Sequence, residues 1–157
     1  MKSISLIIIA VFSFCSLSSG QENGDKLIRK FLADIYNTKI SSEVIISKFV
    51  KHEDTVSLRT AALAILDMRS PRDSSTGHFS IMKKDILEHN FSIDNFIAFN
   101  SSDQSQFNNL SEVDKKGVYR IKLKNTIPVY VLVKQNKIVS FFGFRKAGSD
   151  FYTFIVY

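Results

Sequence analysis

Apolar residues recur at helical spacing through the first half of the chain and crowd into short β-like runs near its end. Leu27, Ile28, Phe31, Leu32, Ile35 and Tyr36 fall on one broad helical stripe, which predicts a helix with Asp25 as its N-cap and Asn37 at its end. Ser41 and Ser42 can cap a second, shorter helix whose apolar side is Val44, Ile45, Ile46, Phe49 and Val50, and His52-Glu53-Asp54 breaks that pattern. A third helix is predicted from Thr55 to about Arg69, with Leu58, Ala61, Ala62, Ile65 and Leu66 facing inward. Pro71 stops it, because proline forces the residue before it out of helical geometry. Pro71 to Ser80 reads as a surface loop, Ile81 to Asn90 as a short helix or a strand, with the helix favoured, and Phe91 to Phe99 as a strand. Ser101 to Gly117 is polar and turn-rich.

From Val118 onward, four runs (118–124, 127–134, 137–145 and 151–157) are dense in Val, Ile, Phe and Tyr and are separated by brief polar turns. Connections this short predict antiparallel neighbours and hence an up-and-down meander. Two-residue turns at Asn125-Thr126 and Gln135-Asn136 would set Ile121 opposite Tyr130 and Val131 opposite Ser140. One face then carries Tyr119, Ile121, Leu123, Tyr130, Leu132, Val139 and Phe141, joined by Tyr152, Phe154 and Val156, and is expected to meet the helices. The other carries Arg120, Lys122 and Lys124 beside Val129, Val131, Val133, Ile138 and Phe142, joined by Phe151, Thr153 and Ile155. A sheet face open to water normally shows polar residues. This second face is apolar in its middle and basic along one edge, so Arg120, Lys122, Val131 and Phe142 are the candidate ligand-binding residues. The alternative expectation is that the chain's own segments, such as 91–110, cover it.

Helices first and strands last is the order of an α+β domain, here N-terminal helices packed on one face of a C-terminal antiparallel β-meander of four to five strands. That layout is similar to cone-shaped α+β folds such as the nuclear-transport-factor-2-like and cystatin-like groups, although the strand that the first group places between its helices is not found. Such folds host enzymes and non-catalytic binders alike, so the resemblance implies an architecture and transfers no activity and no residue.

The first residues add a location. Lys2 starts a positive segment, Ile4 to Phe14 is almost wholly apolar, and Ser16 to Gly20 is mostly small, which is the order of a secretory signal peptide with a cut after Gly20. The expected organisation is a signal at 1–20 and a single α+β domain at 21–157, exported to the periplasm or beyond. Cys15 is the only cysteine and lies inside the signal, so residues 21–157 form no disulfide. Anchoring through a lipid on Cys15 is disfavoured, because Phe12 and Phe14 stand where lipoprotein signals need a leucine-like and a small residue.

Charge and motifs narrow the function further. The formal charge of +6 favours anionic surfaces or ligands, but no cluster of basic residues marks a nucleic-acid binder, and no long apolar run outside the leader marks a membrane span. The histidines, His52, His78 and His89, have no metal-site spacing, and no glycine-rich phosphate loop or nucleophile elbow occurs, so no metal and no cofactor are expected. Arg69, Arg72 and Asp73 with Glu53 and Asp54 could form a polar mouth beside the third helix. The function expected is a small exported, non-catalytic binding or interaction module for an apolar or anionic ligand or a protein partner. The alternatives are a small secreted hydrolase using His78 or His52 with nearby hydroxyl or carboxyl groups, and a structural subunit that associates with itself, as a homodimer, through the sheet face.

Overall fold

The computed structural model describes residues 24–157, and the leader expected at 1–20, with its cut after Gly20 and with Cys15, lies outside them. Helix α1 (24–36) buries Ile28, Phe31, Leu32 and Ile35. Asp25 sits inside α1 rather than capping it, and pairs with Arg29 one turn on at 3.0 Å. Helix α2 (Ser42–Phe49) starts where the Ser41 hydroxyl accepts the Val44 N–H, and α3 (Thr55–Arg69) where the Asp54 carboxylate accepts the Ser57 N–H at 2.7 Å. Leu66, expected inward, is turned outward; the buried stripe of α3 runs through Ala61, Ile65 and Met68.

Helix α4 (His78–Leu87) begins inside the segment whose composition reads as loop. Gly77 occupies its N-cap position and has no side chain to offer. Asp73 does that work from further upstream, accepting the Phe79 N–H at 2.8 Å and the Ser80 hydroxyl at 2.6 Å. The Ser80 hydrogen bond outweighs desolvation and, with the backbone N–H groups, holds the Asp73 carboxyl below the usual range.

Strands β1 (Phe91–Asn95), β2 (Val118–Leu123), β3 (Val129–Lys134) and β4 (Lys137–Ser140) form an antiparallel sheet in sequential order. Strands β5 (Gly143–Arg145) and β6 (Tyr152–Phe154) form a separate hairpin. The chain after β6 returns beside β4, with Ile155 N–H donating to Phe142 O at 3.0 Å and Tyr157 N–H to Val139 O at 3.3 Å. Helices α1–α4 pack on one face of the four-stranded sheet, where Phe31, Ile46, Ile65 and Met82 meet Ile121, Val131 and Ile138. The molecule is thus an α+β fold with its helices mostly N-terminal and its antiparallel sheet in the C-terminal half.

Two registers differ from the expected ones. Ile121 pairs with Val129, and Tyr130 stands opposite Arg120. Residues 124–128 form a wide connection instead of a two-residue turn. Pro128 has no N–H to give to a ladder, and the buried Asp85 carboxylate of α4 takes both the Asn125 N–H (2.8 Å) and its side-chain amide (2.6 Å). The loop is therefore tied to α4 rather than closed on itself. A one-residue slip moves a whole strand's side chains to the other face. Strand β2 keeps its expected faces, but Val129, Val131 and Ile138 turn towards the helices, whereas Tyr130, Leu132, Val139, Tyr152 and Phe154 turn away. Gln135-Asn136 does form a two-residue turn, both residues having positive φ, but a bulge between Leu132 and Val133 sets Leu132 opposite Ser140.

Candidate functional site: a covered sheet face and an exposed aromatic hairpin

The sheet face away from α1–α4 is covered by the chain itself. After β1 the backbone makes a 3-10 turn (Phe96–Ala98) and two short helices, α5 (Ser101–Ser105) and α6 (Glu112–Lys115), each opened by a polar cap: Asn95, Asn100 and Ser111. These pieces are too short to show periodicity, which is why the sequence reads as turns. They lay Phe99 and Phe107 over Val118, Tyr130, Leu132 and Val139. Phe107 is fully buried, with the Tyr130 ring at 5.1 Å, Tyr152 at 5.7 Å and Phe154 at 5.9 Å. Tyr152 N–H donates to Gln106 O at 2.8 Å and Asn109 Nδ2 to Tyr152 O at 3.3 Å, so hairpin and cover are also joined through polar groups.

Arg120 lies at the centre of this layer, only 7% exposed. Its guanidinium stands 4.4 Å over the Phe99 ring, donates to Asp94 at 2.9 Å, and pairs with Asp103 of α5. Burial opposes the charge on Arg120, but the hydrogen bonds from Asp94 and Asp103 outweigh it and raise its pKa further. Lys122 reaches the same Asp94 carboxylate at 2.8 Å from a half-exposed position. Burial likewise opposes ionisation of Asp94, yet its bonds to Lys122 and Arg120 hold the carboxyl below its ordinary value. The structure therefore brings Arg120 and Lys122 together, with their charge met by two carboxylates of the same chain.

The other two expected residues are elsewhere. Val131 is buried among the helices, because the β2–β3 register is shifted. Phe142 is half-buried on the helix side, its ring 5.5 Å from Phe79 of α4 and 5.1 Å from Phe141. The four residues do not form one surface.

The histidines are dispersed. His52 is exposed ahead of α3, His78 opens α4, and His89 follows the end of that helix with a φ of 58°. The ten-residue α4, about 15 Å long, holds the last two apart. His78 Nδ1 lies 2.9 Å from the Thr126 hydroxyl, which fastens α4 to the β2–β3 connection. Burial lowers its pKa, with Asp73 pulling weakly the other way. Among the described residues no group of three or more His, Cys, Asp or Glu side chains is gathered as a metal would require. The polar mouth is not assembled either. Glu53 and Asp54 are at the start of α3, while Arg69 at its far end donates to the carbonyls of Ile35 (2.5 Å) and Ile40 (2.6 Å), closing the end of α1.

Large apolar side chains are exposed at several places, Leu63 and Leu66 of α3 among them, but the aromatic ones, Phe144 and Phe151, lie together on the outer side of the β5–β6 hairpin. Phe144 pairs with Thr153, and exposure alternates along 151–155 so that Tyr152 and Phe154 point into the cover layer while Phe151, Thr153 and Ile155 point out. Phe144 is 51% exposed and Phe151 43%. Lys146 is exposed at the same end of the hairpin, and exposed Arg145 stands opposite Tyr152, on the other side of the ribbon from Phe144. The sequence groups Phe151, Thr153 and Ile155 correctly on one side but misses Phe144; the signal was Phe144-Arg145-Lys146 followed by a run without large apolar residues. Comparison with protein-family models, with curated proteins and with solved structures finds no match, the cone-shaped folds included.

Proposed function

We propose that the protein is a small exported, non-catalytic binding module that meets an apolar or amphipathic anionic partner through the outer side of the β5–β6 hairpin. One observation carries the reading: the hairpin has aromatic residues on both sides, and only one side is used by the fold. Tyr152 and Phe154 anchor it to Phe107, whereas Phe144, Phe151 and Ile155 stand in water. Export, to the periplasm or the exterior, is supported by the charge, apolar core and small residues of 1–20. The dispersal of the three histidines, and the use of the paired Asp94 and Asp103 carboxylates in holding Arg120, favour binding over hydrolysis.

An amphipathic aryl sulfonate dye serves as the probe, titrated into residues 21–157. Saturable binding is expected, weakened at least about tenfold in Phe144→Ser/Phe151→Ser with the melting temperature unchanged, and unaffected by His78→Gln. Equal dye affinity in the double variant would overturn the assignment of this surface.

A further inference from the structure

We propose that the tip of the β5–β6 hairpin docks on anionic lipid surfaces. This rests on the reading that the hairpin is the binding surface, and it names the partner. From Phe144 to Phe151 every residue except Ser149 is exposed. The turn passes through Gly148 at a φ of +78°, and a side chain built there would meet nothing within 4 Å, so the ribbon ends in open space. Phe144 and Phe151 stand on the same side of that ribbon, Phe144 opposite Thr153 and Phe151 two residues before it.

Charge selects the partner. Lys146, past the end of β5, and Arg145, on the side of the ribbon opposite Phe144, flank the tip and make no ion pair among the described residues, in contrast to Arg120, Lys122 and Lys134, each of which has a carboxylate partner. Asp150 is the single acid between Phe144 and Phe151. A free ligand small enough to lie on one ring would leave the second ring and the cations in water. An anionic bilayer offers what the tip presents: an apolar layer for Phe144 and Phe151, and phosphate groups just above it for Arg145 and Lys146. The formal +6 charge of the chain adds long-range attraction to such a surface. No helix among the described residues is long and apolar enough to cross a membrane, so the contact would be peripheral.

The test is co-sedimentation of residues 21–157 with vesicles of phosphatidylcholine alone or with about one-third phosphatidylglycerol. Binding is expected to the anionic vesicles only, and to fall with added salt. Arg145→Glu/Lys146→Glu should weaken it by at least about 25-fold, since each cation near an anionic surface contributes about fivefold. Phe144→Ser/Phe151→Ser should weaken it at least about tenfold, leaving a weaker, more salt-sensitive component. If either double variant melts lower than the wild type, Lys146→Glu alone, at an exposed position, gives the reading. Vesicle binding that is absent, or that survives these substitutions, overturns the proposal. Loss of the aryl sulfonate site in the double Phe variant together with no vesicle binding by the wild type would leave the hairpin as the binding surface and remove the lipid. Loss of neither would remove both.

Discussion

Truncating Phe107 tests whether the sheet has a core on each face. Its ring is fully buried at the centre of the cover layer and is flanked by Phe96, Phe99, Tyr130, Tyr152 and Phe154 at centroid distances of 5.1–6.2 Å. Phe107→Ala removes the transfer free energy of a whole buried ring and leaves a cavity whose walls are aromatic side chains held by β3, β6 and the cover. Those walls are fixed on three sides and cannot collapse fully, so the loss should be near the usual range for buried phenylalanine, about 3–5 kcal/mol. For a domain of this size that lowers the melting temperature by about 10 °C or more. Urea unfolding followed by far-UV circular dichroism measures it directly, with Phe144→Ala as the comparison on the outer side of the same hairpin, expected within about 0.5 kcal/mol of wild type. If Phe107→Ala proves too unstable to study, Phe107→Leu retains much of the volume and should cost about 1–2 kcal/mol. A loss below about 1 kcal/mol for Phe107→Ala would refute the argument: the cover would then be a loose flap over a hydrated face rather than the lid of a core.

Arg120→Met should destabilise by about 2–3 kcal/mol, because it leaves Asp94 and Asp103 facing one another at the edge of an apolar layer, and amide exchange should accelerate across 96–110 while α1–α3 remain protected; uniform exchange would show that the ion pairs do not hold the cover. His78 gives a pH dependence with a defined sign. Its folded pKa lies below the ordinary imidazole value of about 6.5, so the unfolded chain takes up the proton first. Its contribution is therefore complete above about pH 6.5 and is lost as pH falls through the lower folded value. Stability curves of wild type and His78→Gln should converge on acidification across that window, and parallel curves would exclude this group. Residues 21–157 contain no cysteine, so their melting temperature should be unchanged by dithiothreitol.

What the sequence makes legible follows from the length of the signals. Helices α1 and α3 are long enough for the 3.6-residue period to be read, and local chemistry marks the start of α2 at Ser41 and the end of α3 before Pro71. α4 starts early because its capping carboxylate, Asp73, lies outside the positions where a cap is sought. The four- and five-residue helices of the cover contain too little repeat to show, yet their caps Asn100 and Ser111 are visible afterwards as polar residues preceding short acidic turns. The buried stripe of α3 runs through Met68 rather than Leu66, because tertiary packing and not the local pattern decides which flank of a broad stripe is inside.

The expected binding face came apart at the β2–β3 connection and the β3–β4 bulge. Alternation within β2 placed Arg120 and Lys122 correctly on the side away from the helices. The assignment of Val131 to that side depended on the parity of the connection 124–128, where Asp85 holds Asn125, forty residues apart in sequence, and that of Phe142 depended also on the bulged β3–β4 pairing. Once β3 is inverted, the apolar residues of the sheet are divided between two cores rather than gathered on one open face, and the anomaly that suggested a site disappears from β2–β4. It reappears at the hairpin for a different reason. Tyr152 and Phe154 satisfy the fold's need for apolar residues there, since they fill the layer above Phe107 and Tyr130. Nothing in that packing calls for phenylalanine on the opposite side, where Thr153 already stands between Phe151 and Ile155 and opposite Phe144. Strands solvated on one side ordinarily place polar residues there. Rings in that position contribute little to folding and raise the risk of aggregation, and this is the physical ground for the contact outside the chain proposed above.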